Sequence, residues 1–67
     1  MIVDNWLDMT LVERMRHIRS NEGRIFVRAQ IGGKWGSHAL SDLPDALRES
    51  EALRLAKRDV QPTMFVK

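Results

Sequence analysis

The chain has 67 residues, of which 43% are hydrophobic and 30% are charged. Eleven basic residues are nearly matched by nine acidic ones, and a net charge of +2 excludes a chain dominated by one strongly basic surface. The absence of cysteine excludes a disulfide framework and thiolate metal sites. We expect a single small domain over residues 1–67 with a small core, because short chains bury little of their surface.

The first nine residues have no basic region followed by an apolar stretch, which a signal peptide requires. No apolar run in the chain approaches the ~18 residues of a membrane span. We therefore expect a cytoplasmic protein with no membrane association. Within this segment Asp4 is placed to cap a short turn that presents Trp6 and Leu7.

A first helix is predicted over residues 11–20. The sequence Thr10-Leu11-Val12-Glu13 is a capping box, in which the Thr and Glu side chains each bond the other residue's backbone N–H. Spacing of i, i+4, i+7 predicts a buried stripe made of Leu11, Met15 and Ile18. Three arginines lie outside this stripe and form a secondary basic patch: Arg14, Arg16 and Arg19. A solvated helix surface explains the same three residues.

A β-hairpin is predicted over residues 24–41. Residues 24–31 alternate strictly between two faces, with Ile25, Val27, Ala29 and Ile31 on one of them, which is typical of a half-buried strand. Gly32-Gly33 supplies two residues that accept positive φ, as a tight two-residue turn requires. That turn pairs Ile31 with Lys34 and predicts an inward face of Ile25, Val27, Ala29, Ile31 and Leu40. A three-residue loop with a bulge would instead turn Trp35 into the core.

A second helix is predicted over residues 43–58, with Asp42 as its cap and Pro44 in its first turn. One side carries Leu43, Ala46, Leu47, Ser50 and Leu53. Apolar residues also lie away from that side, so a homo-oligomer is an option through Leu55, Ala56 and Val60. Residues 63–66 have strand composition and form either a third strand, a disordered tail or a pair with a neighbouring molecule. The fold class is α+β, in the order α-β-β-α(-β).

Catalytic and metal-binding constellations are weak in this sequence. His17 and His38 are the only histidines, and neither has the spacing of a metal site. Ser37 and His38 are adjacent strand residues that point to opposite faces, which argues against a nucleophilic pair. Gly32-Gly33-Lys34 lacks the pattern of a phosphate-binding loop and suits a hairpin tip better. We expect no metal, no cofactor and no enzyme activity.

The outward side of the hairpin is the strongest candidate for a binding site. It combines cationic and aromatic residues, which suit a protein contact or a nucleic acid: Arg24, Phe26, Arg28, Gln30, Lys34 and Trp35. Packing beneath another segment explains the aromatics equally well. Our leading hypothesis is a binding module that docks on a larger protein and modulates it. The alternative is a small nucleic-acid-binding protein. The chain length matches accessory and inhibitor proteins of phages and mobile elements, an association with size alone.

Overall fold

The computed structural model describes residues 5–65 of the chain. Two helices flank a two-stranded antiparallel sheet, in the order α1 (Leu11–Arg19), β1 (Phe26–Ile31), β2 (Lys34–Ala39) and α2 (Asp45–Ala56). Single turns of 3-10 helix lie at Trp6–Asp8, Glu22–Arg24 and Leu40–Asp42. The predicted α+β class, a hairpin packed against two helices, is confirmed.

The hairpin closes through the two-residue loop Gly32-Gly33, as predicted. Both glycines have positive φ, 60° and 80°, and Ile31 pairs with Lys34 across the turn. This register directs Ile25, Val27, Ala29 and Leu40 into the core, where each is buried. Trp35 lies on the outward side, so the three-residue loop that would have buried it is wrong.

One hydrophobic cluster joins the inner side of the hairpin to both helices. It contains the strand residues Ile25, Val27 and Ala29 together with Trp6, Ile18, Leu40, Leu43, Ala52, Leu55 and Ala56. Trp6 is the only aromatic residue of the chain in this cluster. The core is therefore built mostly from aliphatic side chains of moderate size, as a short chain requires.

The predicted capping box of α1 is confirmed, but the predicted buried stripe is partly wrong. Thr10 Oγ1 accepts from the Glu13 backbone N–H at 3.2 Å, and the Thr10 N–H donates to Glu13 Oε1 at 2.8 Å. The helix is rotated so that Leu11 is exposed while Arg14 and Ile18 are buried. The rotation occurs because Arg14 finds buried backbone acceptors, which hydrophobic periodicity does not detect.

Several predicted details of α2 require correction. The helix spans Asp45–Ala56 rather than residues 43–58, and Asp42 lies in a separate 3-10 turn. Pro44 occupies the cap position without a side-chain hydrogen bond. Ala52, Leu55 and Ala56 form the buried face, while Ala46 and Ser50 are exposed. Of the three residues of the predicted oligomer surface, Leu55 and Ala56 are buried in the core and Val60 is exposed.

The segment after α2 forms no strand within the described residues. It bonds to the turn that precedes β1 through the Phe65 N–H, which donates to the Arg24 carbonyl at 2.8 Å. The predictions for Asp4 and Val66 lie outside the described residues. Within residues 5–65, neither helix has the length and hydrophobicity needed to cross a membrane.

Candidate functional site

The outer face of the hairpin is the side opposite the core and consists of Phe26, Arg28, Gln30, Trp35 and Ser37. The register sets Gln30 directly opposite Trp35, and Arg28 opposite Ser37. Side chains directly opposite each other lie ~5 Å apart at Cβ, and diagonal neighbours ~7–8 Å. Arg28 is the diagonal neighbour of Trp35 and is two residues from Phe26. The register therefore places the Arg28 position between those of Phe26 and Trp35 on this face.

Both aromatic rings of the outer face are accessible. Trp35 is 65% exposed and Phe26 is 42% exposed. Phe26 makes an edge-to-face contact with Phe65, with ring centroids 5.6 Å apart. The C-terminal segment thus covers part of Phe26 and leaves Trp35 free of such a cover. The idea that both rings simply pack beneath another segment fails for Trp35.

The cations of the predicted site have no carboxylate partner among residues 5–65. Ion pairs in this part of the chain use other arginines: Arg19 with Glu49, Arg48 with Glu22 and Asp45, and Arg54 with Glu51. Arg24 lies just before β1 in a 3-10 turn, and Lys34 begins β2 at the hairpin tip. Lys34 pairs with Ile31, so it shares the inward-directed side of the ribbon rather than the outer face. The structure brings together four of the six predicted residues.

The predicted secondary basic patch does not form as a cluster of three. Arg14 is buried, at 9% exposure, and Arg19 pairs with Glu49 at 2.6 Å. Arg16 alone stays exposed without a carboxylate partner in the described chain. A cationic binding surface on α1 would therefore rest on a single unpaired arginine.

Arg14 instead ties three parts of the chain together. Its Nε donates to the Trp6 carbonyl at 3.0 Å, and its Nη1 donates to the carbonyls of Ala56 and Arg58 at 3.0 and 3.1 Å. The guanidinium also lies 4.9 Å from the centre of the Trp6 ring. The Trp6 indole N–H donates to the same Arg58 carbonyl at 2.9 Å. A buried cation at these carbonyls also complements the negative end of the α2 dipole.

A groove of about 440 Å³ lies beside the outer face, between β1, the end of α2 and the C-terminal segment. We call it the edge groove. Three arginines line it, Arg28, Arg54 and Arg58, and no described carboxylate does. Apolar side chains supply other parts of the wall, including Leu55, Val60 and Phe65. Hydrogen bonding to Glu51 raises the pKa of Arg54, so this guanidinium stays fully charged.

The two histidines are placed differently. His17 contacts the Trp6 ring edge-on at 6.3 Å, and its Nε2 is buried with no hydrogen-bond partner in the described part of the chain. Burial lowers the pKa of His17. His38 pairs with Val27 across the hairpin, so it lies on the same side of the sheet as Val27. Residues 5–65 contain no group of three His, Asp or Glu side chains placed to hold a metal ion.

Sequence reasoning missed Arg14 as an anchor and missed the edge groove. The groove joins residues more than 20 positions apart in the sequence, so no local spacing reveals it. The signal for Arg14 was present only as the pair of Trp6 and Arg14, two side chains that commonly stack. Comparison of the chain with protein-family models, with curated proteins and with solved structures found no match.

Proposed function

We propose that this chain is a non-enzymatic binding module that docks on a larger protein through the outer face of its hairpin and thereby modulates that protein. The observation that carries the proposal is Trp35, a 65%-exposed ring that lies diagonally across the hairpin from Arg28. Trp and Arg are the residue types most enriched among side chains that dominate binding energy at protein interfaces. The proposed location is the cytoplasm.

The face also indicates the chemistry of the partner. Arg28 has no carboxylate partner in the described chain, and the nearby Arg24 and Lys34 share this property. A partner surface with an apolar pocket for Trp35 and acidic groups around it would complement these side chains. Acidic groups at such a rim act mainly on association rate and specificity, while the buried ring supplies most of the affinity.

The experiment is a capture assay from native lysate with immobilised protein, comparing matched variants. Trp35→Ala removes the exposed ring, and Leu7→Ala is the control because Leu7 is 69% exposed on a different part of the surface. We expect the captured protein to be retained by Leu7→Ala and lost with Trp35→Ala. Truncating a dominant interface residue weakens binding by about 30-fold or more.

Circular dichroism and thermal unfolding must show that Trp35→Ala keeps the fold, as the exposure of the ring leads us to expect. A partner captured equally by the wild type, Trp35→Ala and Arg28→Gln would contradict the proposal. The proposal would also be contradicted if the wild type and the Leu7→Ala control captured no protein in common.

Nucleic acid binding is the second candidate, and one observation favours it. Arg28 stands between Phe26 and Trp35, and none of the outer-face residues is acidic, as surfaces that stack bases and neutralise phosphates require. Fluorescence anisotropy with labelled single-stranded DNA and RNA tests this candidate. Affinity should fall steeply between about 50 and 200 mM salt, because each neutralised phosphate releases counterions. Absence of binding at low salt would refute it.

A further inference from the structure

The outer edge of β1 has unpaired backbone groups over part of its length. The Leu40 N–H donates to the Ile25 carbonyl at 2.9 Å, so Ile25 and Leu40 are a hydrogen-bonded pair of the hairpin. Such pairs alternate along an antiparallel ladder, so Val27, Ala29 and Ile31 also bond to β2. The N–H and C=O groups of Phe26, Arg28 and Gln30 therefore point away from β2. The sheet has two strands, and no backbone bond to these three residues is made along that edge within residues 5–65.

The C-terminal segment confirms this direction and leaves the edge open. Arg24 has the same parity as Phe26 and Arg28, and its carbonyl accepts from the Phe65 N–H at 2.8 Å. Residues of this segment from Val60 to Phe65 line the edge groove opposite β1. An exposed row of strand donors and acceptors is a template for pairing with another extended chain.

We propose that the edge groove takes an acidic, extended segment of the partner protein, which adds to β1 as a further strand opposite Phe26, Arg28 and Gln30. This inference rests on the proposed function and names the part of the partner that the groove recognises. Strand addition supplies affinity through main-chain hydrogen bonds, and the pockets beside the edge supply specificity.

Charge determines the kind of segment. Arg28 projects from the strand itself, and Arg58 lies on the opposite side of the groove, two residues beyond the end of α2. Neither guanidinium has a carboxylate partner among the described residues, whereas Arg54 already pairs with Glu51. Arg28 and Arg58, one on each side of the groove, therefore favour carboxylates on the incoming strand. Single-stranded nucleic acid would use the cations but not the backbone groups of Phe26, Arg28 and Gln30.

The probe for the test is a blocked peptide of alternating Glu and Val residues, whose Glu side chains all lie on one side of an extended strand. We expect it to bind the wild-type protein, while the matching Lys/Val peptide does not. Amide hydrogen exchange measured by NMR reports the site directly. The N–H groups of Phe26, Arg28 and Gln30 should gain protection, whereas those of Val27 and Ala29 should not change because β2 already bonds them.

Backbone methylation separates strand addition from simple charge attraction. Two further Glu/Val peptides carry N-methyl groups on alternate residues, one on each parity. Only the peptide whose methyl groups replace the N–H groups that face β1 should lose binding. Arg28→Gln and Arg58→Gln should each weaken binding of the Glu/Val peptide about two- to fivefold, the effect expected for losing a partly exposed ion pair. Lys57→Gln is the charge-matched control outside the groove and should leave the affinity unchanged.

The inference is overturned if the Glu/Val peptide does not bind, if both methylated peptides bind equally well, or if the three edge amides gain no protection. It is also overturned if oligo(dT) binds with quenching of Trp35 while the peptide does not. These outcomes leave the proposed function testable on its own, because the capture assay depends on Trp35 rather than on the edge. Loss of capture with Trp35→Ala alongside failure of the peptide would refute the edge groove and retain the docking face.

Discussion

Replacing Arg14 with Ala should remove a large part of the stability of this protein. The guanidinium makes three hydrogen bonds to backbone carbonyls and lies over the Trp6 ring. Without Arg14, the Arg58 carbonyl still accepts from the Trp6 indole N–H, and the Trp6 carbonyl still accepts from the Met9 N–H. The Ala56 carbonyl has no other donor among the described residues. Truncation therefore leaves one buried acceptor unsatisfied and also removes two charge-assisted bonds.

The magnitude follows from these contacts. An unsatisfied buried carbonyl costs ~1–3 kcal/mol, and a lost cation–π contact costs ~0.5–2 kcal/mol. With the other two bonds, which do not add fully, the expected loss is about 3–5 kcal/mol, similar to other cases in which one partner of a buried charge interaction is removed. A chain of 67 residues has a total stability of ~3–10 kcal/mol. Arg14→Ala should therefore bring the protein close to unfolding.

Urea unfolding monitored by circular dichroism measures this loss. Arg14→Lys should give an intermediate result, because an ammonium keeps the charge but cannot reach several carbonyls with fixed donors. Arg16→Ala is the control, since Arg16 is exposed on the same helix, and its effect should stay within ~0.5 kcal/mol. A loss below about 1 kcal/mol for Arg14→Ala would refute the view that Arg14 fastens the N-terminal turn to the end of α2.

Two further predictions concern the turn and the half-buried His17. Gly33→Ala should reduce the free energy of unfolding by ~1–2 kcal/mol because φ is 80° there, whereas Gly33→Asn should reduce it less. No neighbour lies within 4 Å of the added Cβ, so equal losses for the two variants would show that the backbone conformation is not the cause. Burial lowers the pKa of His17 below its ordinary value of 6.5, so the unfolded chain binds a proton more readily than the folded chain. The stability due to neutral His17 is thus complete above pH 6.5 and is lost as the pH falls below that value. Denaturant titrations between about pH 7 and 5.5 should show this slope for the wild type and for His38→Gln but not for His17→Gln; an unchanged slope in His17→Gln would contradict it.

The hairpin was predictable in detail because local rules determine it. Strict alternation from Ile25 to Ile31 predicted the inward side, and the glycine pair favoured the two-residue loop that sets the register. The three-residue loop that would bury Trp35 stayed an alternative, and the structure decides against it. The capping box was predictable for the same reason, since Thr10 and Glu13 satisfy each other's backbone within one turn.

The orientation of the helices was not predictable from the same rules. Periodicity assigns buried positions to apolar residues, and it therefore chose Leu11 over Arg14. Arg14 is buried because the last carbonyls of α2 lack donors within their own helix and lie next to Trp6. That acceptor site exists only after α1 and α2 pack together. The edge groove was hidden for a related reason, because its walls come from β1, α2 and the segment that follows.

Three of the four aromatic side chains are exposed near the hairpin, where they contribute less to the stability of the fold than buried rings would. Of the four aromatic residues, Trp6 is in the core, whereas Phe26, Trp35 and Phe65 are 42%, 65% and 52% exposed. Full burial of a Trp side chain contributes ~4–6 kcal/mol, so the exposed part of Trp35 forgoes about 3 kcal/mol. This amount is comparable with the whole stability of a marginal small domain. Phe26 and Phe65 line the edge groove and Trp35 stands beside Arg28, so the exposed rings occupy the same region as the unpaired strand edge. A contact that buries these rings would recover that free energy on binding, which is why we propose that a partner would bind on this side of the molecule.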